Sequence, residues 1–264
     1  MKENSKGLMW RYVLYTYLLF WFFVLGVCGV AVFVFEASDQ TMRWLVSLCS
    51  WTPTMVLFLM RKKLFKEHGI KQFYANLLKN KISLVAMITS MLLIIAIFLA
   101  STLLLSIRSN VEFTSLLTFA PSLLIGNIFF TLIQGATGEE SGWRGYLLPK
   151  MEDTFGFLKG NLILGFIWAG WHLPLWFVSG TYGGLDLVLY IIFFVIGLVS
   201  FSMIMAIYMR KSKNLILAVW MHFWFNFILT FFMGKDIELL GAYAILYAIT
   251  ALIMFKLYIK KVHA

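Results

Sequence analysis

Long uninterrupted apolar runs recur along this chain, each near the 20 residues that a helix needs to cross roughly 30 Å of hydrocarbon. Eight such runs can be read, at 10–35, 42–60, 82–107, 113–137, 161–179, 185–209, 214–233 and 238–258. They are continuously apolar and do not alternate, which predicts helices and argues against a barrel. Lipid offers no partner to an exposed backbone group, so each span has to satisfy its own. Of 264 residues, 61% are hydrophobic and 13% charged, whereas soluble domains carry about a quarter charged residues. The expected fold is therefore all-α, a polytopic membrane helix bundle of about eight transmembrane helices. No linker or low-complexity stretch divides it, so residues 1–264 are read as a single membrane domain.

A net charge of +10 raises the question of nucleic acid. Its distribution answers it. Of 22 Lys and Arg, all but Arg43, Arg108 and Lys235 fall on one side of the eight-span path. They cluster at Lys2, Lys6 and Arg11, through 61–81, at Arg144, Lys150 and Lys159, at Arg210, Lys211 and Lys213, and at Lys256, Lys260 and Lys261. This is the positive-inside pattern, and it places both termini in the cytoplasm. The basic loops belong to topology and anionic lipid, with no nucleic-acid partner. Within 61–81, Phe65, Ile70, Phe73, Tyr74 and Leu77 alternate with lysines, as in an amphipathic helix lying in the interface. His68 and His263 are read as solvated. The first run follows basic residues as a secretory signal does, yet its apolar stretch from Tyr12 to Phe35 exceeds the 7–15 residues of a signal core, so it is read as retained. Cys28 and Cys49 both fall in spans and are read as small packing residues, a disulfide between the first two helices being the alternative.

Ionisable groups in lipid are costly and mark function. Glu139, Glu140 and Arg144 stand where the fourth run ends. Glu140 precedes Arg144 by four residues, the orientation in which a helical carboxylate meets a cation. Asn127, Thr131, Gln134 and Gly138 recur at helical spacing and give the fourth segment a small polar face for packing. At 100° per residue Glu139 lies about 120° from Asn127 and Glu140 about 220°, so Glu139 is nearer that face. Four residues beyond Glu139 is Trp143, which leaves Glu139 without a helical ion partner. A carboxylate beside an indole and partly out of water suits a general acid or base near neutral pH.

His172 lies roughly 16 Å into the fifth run, one turn after Trp168 and just before Pro174, which interrupts the helix. In the seventh run His222 and Asn226 share a face, pairing a titratable nitrogen with an amide able to stabilise an oxyanion. The fifth and seventh runs have the same direction, so their polar groups can meet in one cavity. No HExxH, GxSxG or Walker loop occurs, nor a cysteine nucleophile beside a histidine. Glu139, His172 and His222 make a possible zinc set, since three protein ligands plus water is a common catalytic arrangement. A glutamate that activates water without metal is the alternative.

The set Glu139-Glu140-Ser141-Gly142-Trp143-Arg144, then Trp168-x-x-x-His172, then His222-x-x-x-Asn226, resembles the CPBP family. That family includes type II CAAX prenyl endopeptidases and bacteriocin-processing or immunity proteins. The resemblance covers a core of about 117–231 and implies an intramembrane endopeptidase working near the cytoplasmic membrane face. It implies that Glu139 activates water, that His172 and His222 contribute to the catalytic site, that Asn226 stabilises the oxyanion, and that Glu140 and Arg144 support them. Trp168 stands where the family usually has Phe, keeping an aromatic wall and adding an N–H donor. The implied partners are a peptide or membrane-protein substrate and the lipid bilayer; the compact, loop-poor, Lys-rich chain points to a bacterial cytoplasmic membrane. An inactive peptide-binding immunity protein and a proton-coupled transporter are the rival readings; the absence of an inverted repeat weighs against the transporter.

Overall fold

The apolar segments fold as helices in a computed structural model that describes residues 3–179 and 181–262. Lys2 and His263 lie outside the described residues. In chain order the helices are α1 (3–33), α2 (Asp39–Leu64), α3 (Gly69–Leu78), α4 (Leu84–Ser109), α5 (121–155), α6 (Phe157–Ser179), α7 (Gly184–Ser212), α8 (Leu215–Leu229) and α9 (Asp236–Val262). Among the described residues there is no strand, only an isolated antiparallel bridge between Leu117 and Phe232 that ties the approach to α5 to the end of α8. Six helices, α1, α2, α4, α6, α7 and α9, are long and apolar enough to cross a membrane. Leu18, Phe33, Leu59, Val85 and Ile125 face outward, while Thr16, Ser90, Ser101, Thr102 and Ser202 are buried between helices. Small polar residues inside and large apolar ones outside is the arrangement that lipid selects. The all-α membrane bundle is the fold observed.

The fourth and seventh spans depart from the sequence reading. α8 has 15 residues, about 22 Å at 1.5 Å per residue, which is short of a full crossing. The fourth apolar run was read at 113–137, with Pro121 near a helix start and no breaker from there to Pro149. Residues 113–116 form a single 3₁₀ turn, the helix starts at Pro121 as that reading had it, and it runs past Glu139 and Pro149 to Phe155. Hydropathy ends the span at Glu139 because it scores each charge alone. In the fold these charges are paired and buried, so the helix carries on and Glu139 sits near its middle.

α5 is sharply kinked at Gln134 (ψ 104°) and Gly135 (φ +87°, ψ −69°), and the positive φ calls for glycine. A kink in lipid frees backbone groups that cost several kcal/mol each if left unpaired, on the order given for hydrocarbon. α2 supplies most of the partners. Trp51 Nε1 donates to the Ile133 carbonyl (3.0 Å), Ser50 Oγ accepts from the Gly135 N–H (3.1 Å), and Thr54 Oγ1 donates to the Gly138 carbonyl (2.7 Å). Beyond the kink, a Cβ on Gly142 would collide with the Tyr12 hydroxyl and would stand 2.6 Å from Pro53 Cβ. That hydroxyl in turn donates to the Pro53 carbonyl (3.0 Å), so α1, α2 and α5 are locked at one crossing.

α3 carries the interfacial helix anticipated in 61–81. Phe73, Tyr74 and Leu77 are half-buried against the bundle while Lys71, Gln72 and Asn76 are exposed. His68 is exposed beside Glu67. Cys28 and Cys49 are buried free thiols with sulfurs 3.7 Å apart. Replacing Trp51 by Phe keeps most of the ring but leaves the Ile133 carbonyl without its donor. A loss of about 1–3 kcal/mol is expected, read as a lower Tm of the purified protein in detergent. An unchanged Tm would mean that the kink is held by something else.

Candidate functional site

A buried charge cluster forms where α5 meets α8. One turn of helix brings Arg144 to Glu140, and its Nη1 donates to Glu140 Oε1 at 3.0 Å with both side chains buried. The same oxygen lies 2.7 Å from His222 Nδ1 on α8. Arg144 Nη2 donates to Ser202 Oγ on α7 at 3.3 Å, and the guanidinium stands 3.9 Å over the Trp168 ring on α6. Four helices are therefore tied through Glu140 and Arg144. Burying either ion alone would be severely unfavourable; together they neutralise one another.

Glu139 points to a different partner set. Its Oε2 accepts from Trp143 Nε1 (3.2 Å) and Trp168 Nε1 (2.6 Å). Its Oε1 borders the space beside Gly135: a Cβ built on Gly135 would stand 3.0 Å from Glu139 Oε1 and 3.0 Å from His222 Nε2. Carboxylate and imidazole thus pack closely on Gly135, an approach that a side chain at residue 135 would obstruct. His222 Nδ1 is held by Glu140, which leaves Nε2 for whatever enters there.

His172 sits where Pro174 interrupts α6. The helix closes at Trp171, His172 caps it, and a further turn resumes at Leu173. Its Nδ1 hydrogen-bonds the Trp168 carbonyl at 2.7 Å, an anchor through the backbone of Trp168 and not through the indole face. Asn226 follows His222 by one turn of α8. Glu139, Trp168, His172, His222 and Asn226 all line one cavity of about 320 Å³. From Gly135 and Glu139 the cavity extends toward Arg43, Leu229 and Thr230. On the other side of Glu139, Trp143, Leu147 and Met151 are fully buried and close the way toward the basic loops.

The structure brings every sequence-derived candidate to this region, with two differences of role. Trp143 is a hydrogen-bond donor to Glu139, so the acid does have an i, i+4 partner, though a neutral one. Glu140 holds His222 as well as Arg144, a link between helices that spacing within one segment does not reveal. Gly135, Ser50 and Trp51 escaped the sequence reading. The kink at Gln134–Gly135 also voids the angular count from Asn127 to Glu139, which assumed an unbroken helix. A glycine amid a polar-stepped apolar run was the available signal.

The possible zinc set can be tested against these positions. Glu139, His172 and His222 offer suitable donor atoms, yet among the described residues no three His, Cys, Asp or Glu side chains converge closely enough to hold a metal ion. Glu139 Oε2 is already engaged by two indole N–H groups. The geometry does not fit a three-ligand site, and no chemical step is routed through one. What remains is a carboxylate, two anchored imidazoles and an amide around a cavity, an assembly suited to moving a proton and stabilising negative charge on oxygen.

Comparison with known proteins bears on the same segment. Residues 121–228 match the family model described as type II CAAX prenyl endopeptidase Rce1-like. A curated relative, "CAAX prenyl protease 2" of Methanococcus maripaludis, is 29% identical over 172 residues, covering 61% of this chain. The match spans 62% of that relative's length.

The Arg144 geometry gives a graded expectation. Arg144→Ala leaves Glu140 buried without its cation and should cost about 3–5 kcal/mol. Arg144→Lys keeps the charge but loses the fork and the flat face against Trp168. It should recover only part of the loss in thermal unfolding; full recovery would reduce the role of Arg144 to that of a point charge.

Proposed function

We propose that the chain is a membrane protease of the CPBP family, an intramembrane endopeptidase that hydrolyses a peptide bond with water activated by Glu139. Water in the cavity beside Glu139 gives a proton to its carboxylate while the water oxygen bonds to the scissile carbonyl carbon. The carbonyl π electrons move onto oxygen, where the Asn226 amide N–H stabilises the charge. Glu139 then hands its proton to the leaving nitrogen, the C–N bond breaks, and an acid and an amine result. Trp143 and Trp168 hold the carboxylate by its far oxygen, leaving Oε1 toward the water. Glu140 and Arg144 act one step removed, by orienting His222.

The observation that carries this reading is that Glu139, His172, His222 and Asn226 line one cavity, with Glu139 Oε1 and His222 Nε2 both packed close to Gly135. Glu139→Gln should abolish hydrolysis of a detergent-solubilised peptide substrate, a fall of roughly 10²–10⁴ in kcat, the range for a general base. Asn226→Ala should lower kcat by about 10²–10³. Full activity of Glu139→Gln in correctly folded protein would transfer the chemistry to another group, and an undiminished biological effect without turnover would favour peptide binding over catalysis.

The substrate side of the proposal turns on where the cavity leads. The sequence reading put the reaction near the cytoplasmic face, because it ended the fourth span at Glu139. With α5 continuing to Phe155, the cavity extends away from the basic loops toward Arg43 and Thr230. By the positive-inside rule that end is the outer one. The proposed substrate is accordingly an apolar peptide or membrane-protein segment reaching the site from the outer side of what is proposed to be a bacterial cytoplasmic membrane. A prenylated substrate, of the kind the relative's name indicates, would have to enter from the opposite side. A membrane-impermeant maleimide should label Thr230→Cys in intact cells and Lys211→Cys only after the inner face is exposed. The reverse pattern would restore access from the cytoplasm.

A further inference from the structure

A cavity of about 660 Å³ opens on the side of the basic loops, between α1, the end of α2, α3 and α5. Its cations come from separate parts of the chain: Arg11 on α1, Lys63 and Lys66 at and just after the end of α2, and Lys150 on α5. All four are exposed, and among the described residues none of them forms an ion pair. Glu67 is the one acid in the lining, and it pairs with His68 at 3.7 Å. With His68 neutral, the lining carries an excess of three positive charges. The positive-inside rule asks only that a loop be basic; it does not ask residues 11, 63, 66 and 150 to surround one space. Gathering like charges without an acid between them is unfavourable, so the arrangement calls for an anion. The rest of the lining narrows the choice. Leu8, Leu64, Phe65 and Phe73 are apolar and half-buried, with the Phe65 and Phe73 ring centroids 4.5 Å apart. Cations around an apolar wall, beside the interfacial helix α3, suit an amphiphile better than a free ion.

We infer that this cavity binds one anionic phospholipid, with its phosphates among Arg11, Lys63, Lys66 and Lys150 and the first part of its acyl chains against Leu8, Leu64, Phe65 and Phe73. Three excess charges are more than one phosphodiester neutralises, so a diphosphatidylglycerol headgroup fits the site better than a phosphatidylglycerol. The lipid bridges α1, α2 and α5 and braces α3 between them. α3 itself packs tightly on α5: a Cβ on Gly145 would stand 2.8 Å from Leu77 Cδ1 and 3.3 Å from Phe73 Cζ, one residue beyond Arg144. Phe65 also meets Tyr146 of α5 edge-on, with centroids 6.2 Å apart. Bound lipid therefore steadies the helix that lies behind the buried Glu140–Arg144 pair. The inference is independent of the endopeptidase reading.

The test is binding to the full chain, stripped of lipid in detergent, read by native mass spectrometry and by Tm. Diphosphatidylglycerol should be retained as a single adduct and raise Tm. Phosphatidylglycerol should need several-fold more lipid for the same shift, and phosphatidylcholine should give neither adduct nor shift. Inorganic phosphate should leave Tm unchanged. Lys63→Gln, Lys66→Gln and Lys150→Gln together should weaken retention by roughly 10²-fold, on the order expected for three charges at a membrane surface, and Lys150→Gln alone by several-fold. Replacing Lys256, Lys260 and Lys261 by Gln removes the same charge from exposed positions outside the cavity and should leave retention as it was. The substituted side chains are all exposed, so the lipid-free Tm of each variant should match the parent. Equal weakening in both triple variants would reduce the attraction to net charge and overturn the site. An adduct no tighter than that of phosphatidylcholine would overturn it too. A Tm shift with inorganic phosphate as large as that with lipid would make the ligand a soluble anion, against the proposal.

Discussion

The structure depends on the mutual neutralisation of Glu140 and Arg144. Two ions in the middle of a membrane bundle are tolerated only because each is the partner of the other, with His222 and Ser202 taking further bonds. The pair allows α5 to run through the bundle instead of stopping at a headgroup layer. That continuation carries Glu139 to mid-depth, and the same pair draws α8 and α7 against α5. Fold and site are thus consequences of one buried electrostatic contact.

Trp168 shows how much one side chain can join. Its N–H holds Glu139, its ring lies under the Arg144 guanidinium, and its backbone carbonyl anchors His172. A phenylalanine there would preserve an aromatic surface for Arg144 and the carbonyl for His172, but it would leave Glu139 with the single donor of Trp143. The indole is therefore the variant that fixes the carboxylate most firmly.

Much of the architecture was legible because lipid imposes simple rules. Runs such as Leu84–Ser109 and Gly184–Ser212 admit no other reading than a helix across the bilayer. Within one helical turn the Glu140–Arg144 pair was equally readable, while the bond from Trp143 to Glu139 was not. Interactions between segments were not. Neither the bond from His222 to Glu140 nor the donors that Trp51, Ser50 and Thr54 bring to the kink leave a local periodic trace. The end of the fourth apolar run at 137 missed the buried continuation for a related reason: hydropathy sums isolated residues, and paired charges are not isolated.

The dry layer of Trp143, Leu147 and Met151 behind Glu139 has a consequence for the host membrane. Where water fills the cavity beside Glu139, the permeability barrier shrinks locally to those packed residues, from 143 to 151, about 12 Å of helix. Most of a transmembrane voltage then drops across them, because water carries little of the field. Their tight packing is what keeps such a cavity from becoming a proton leak.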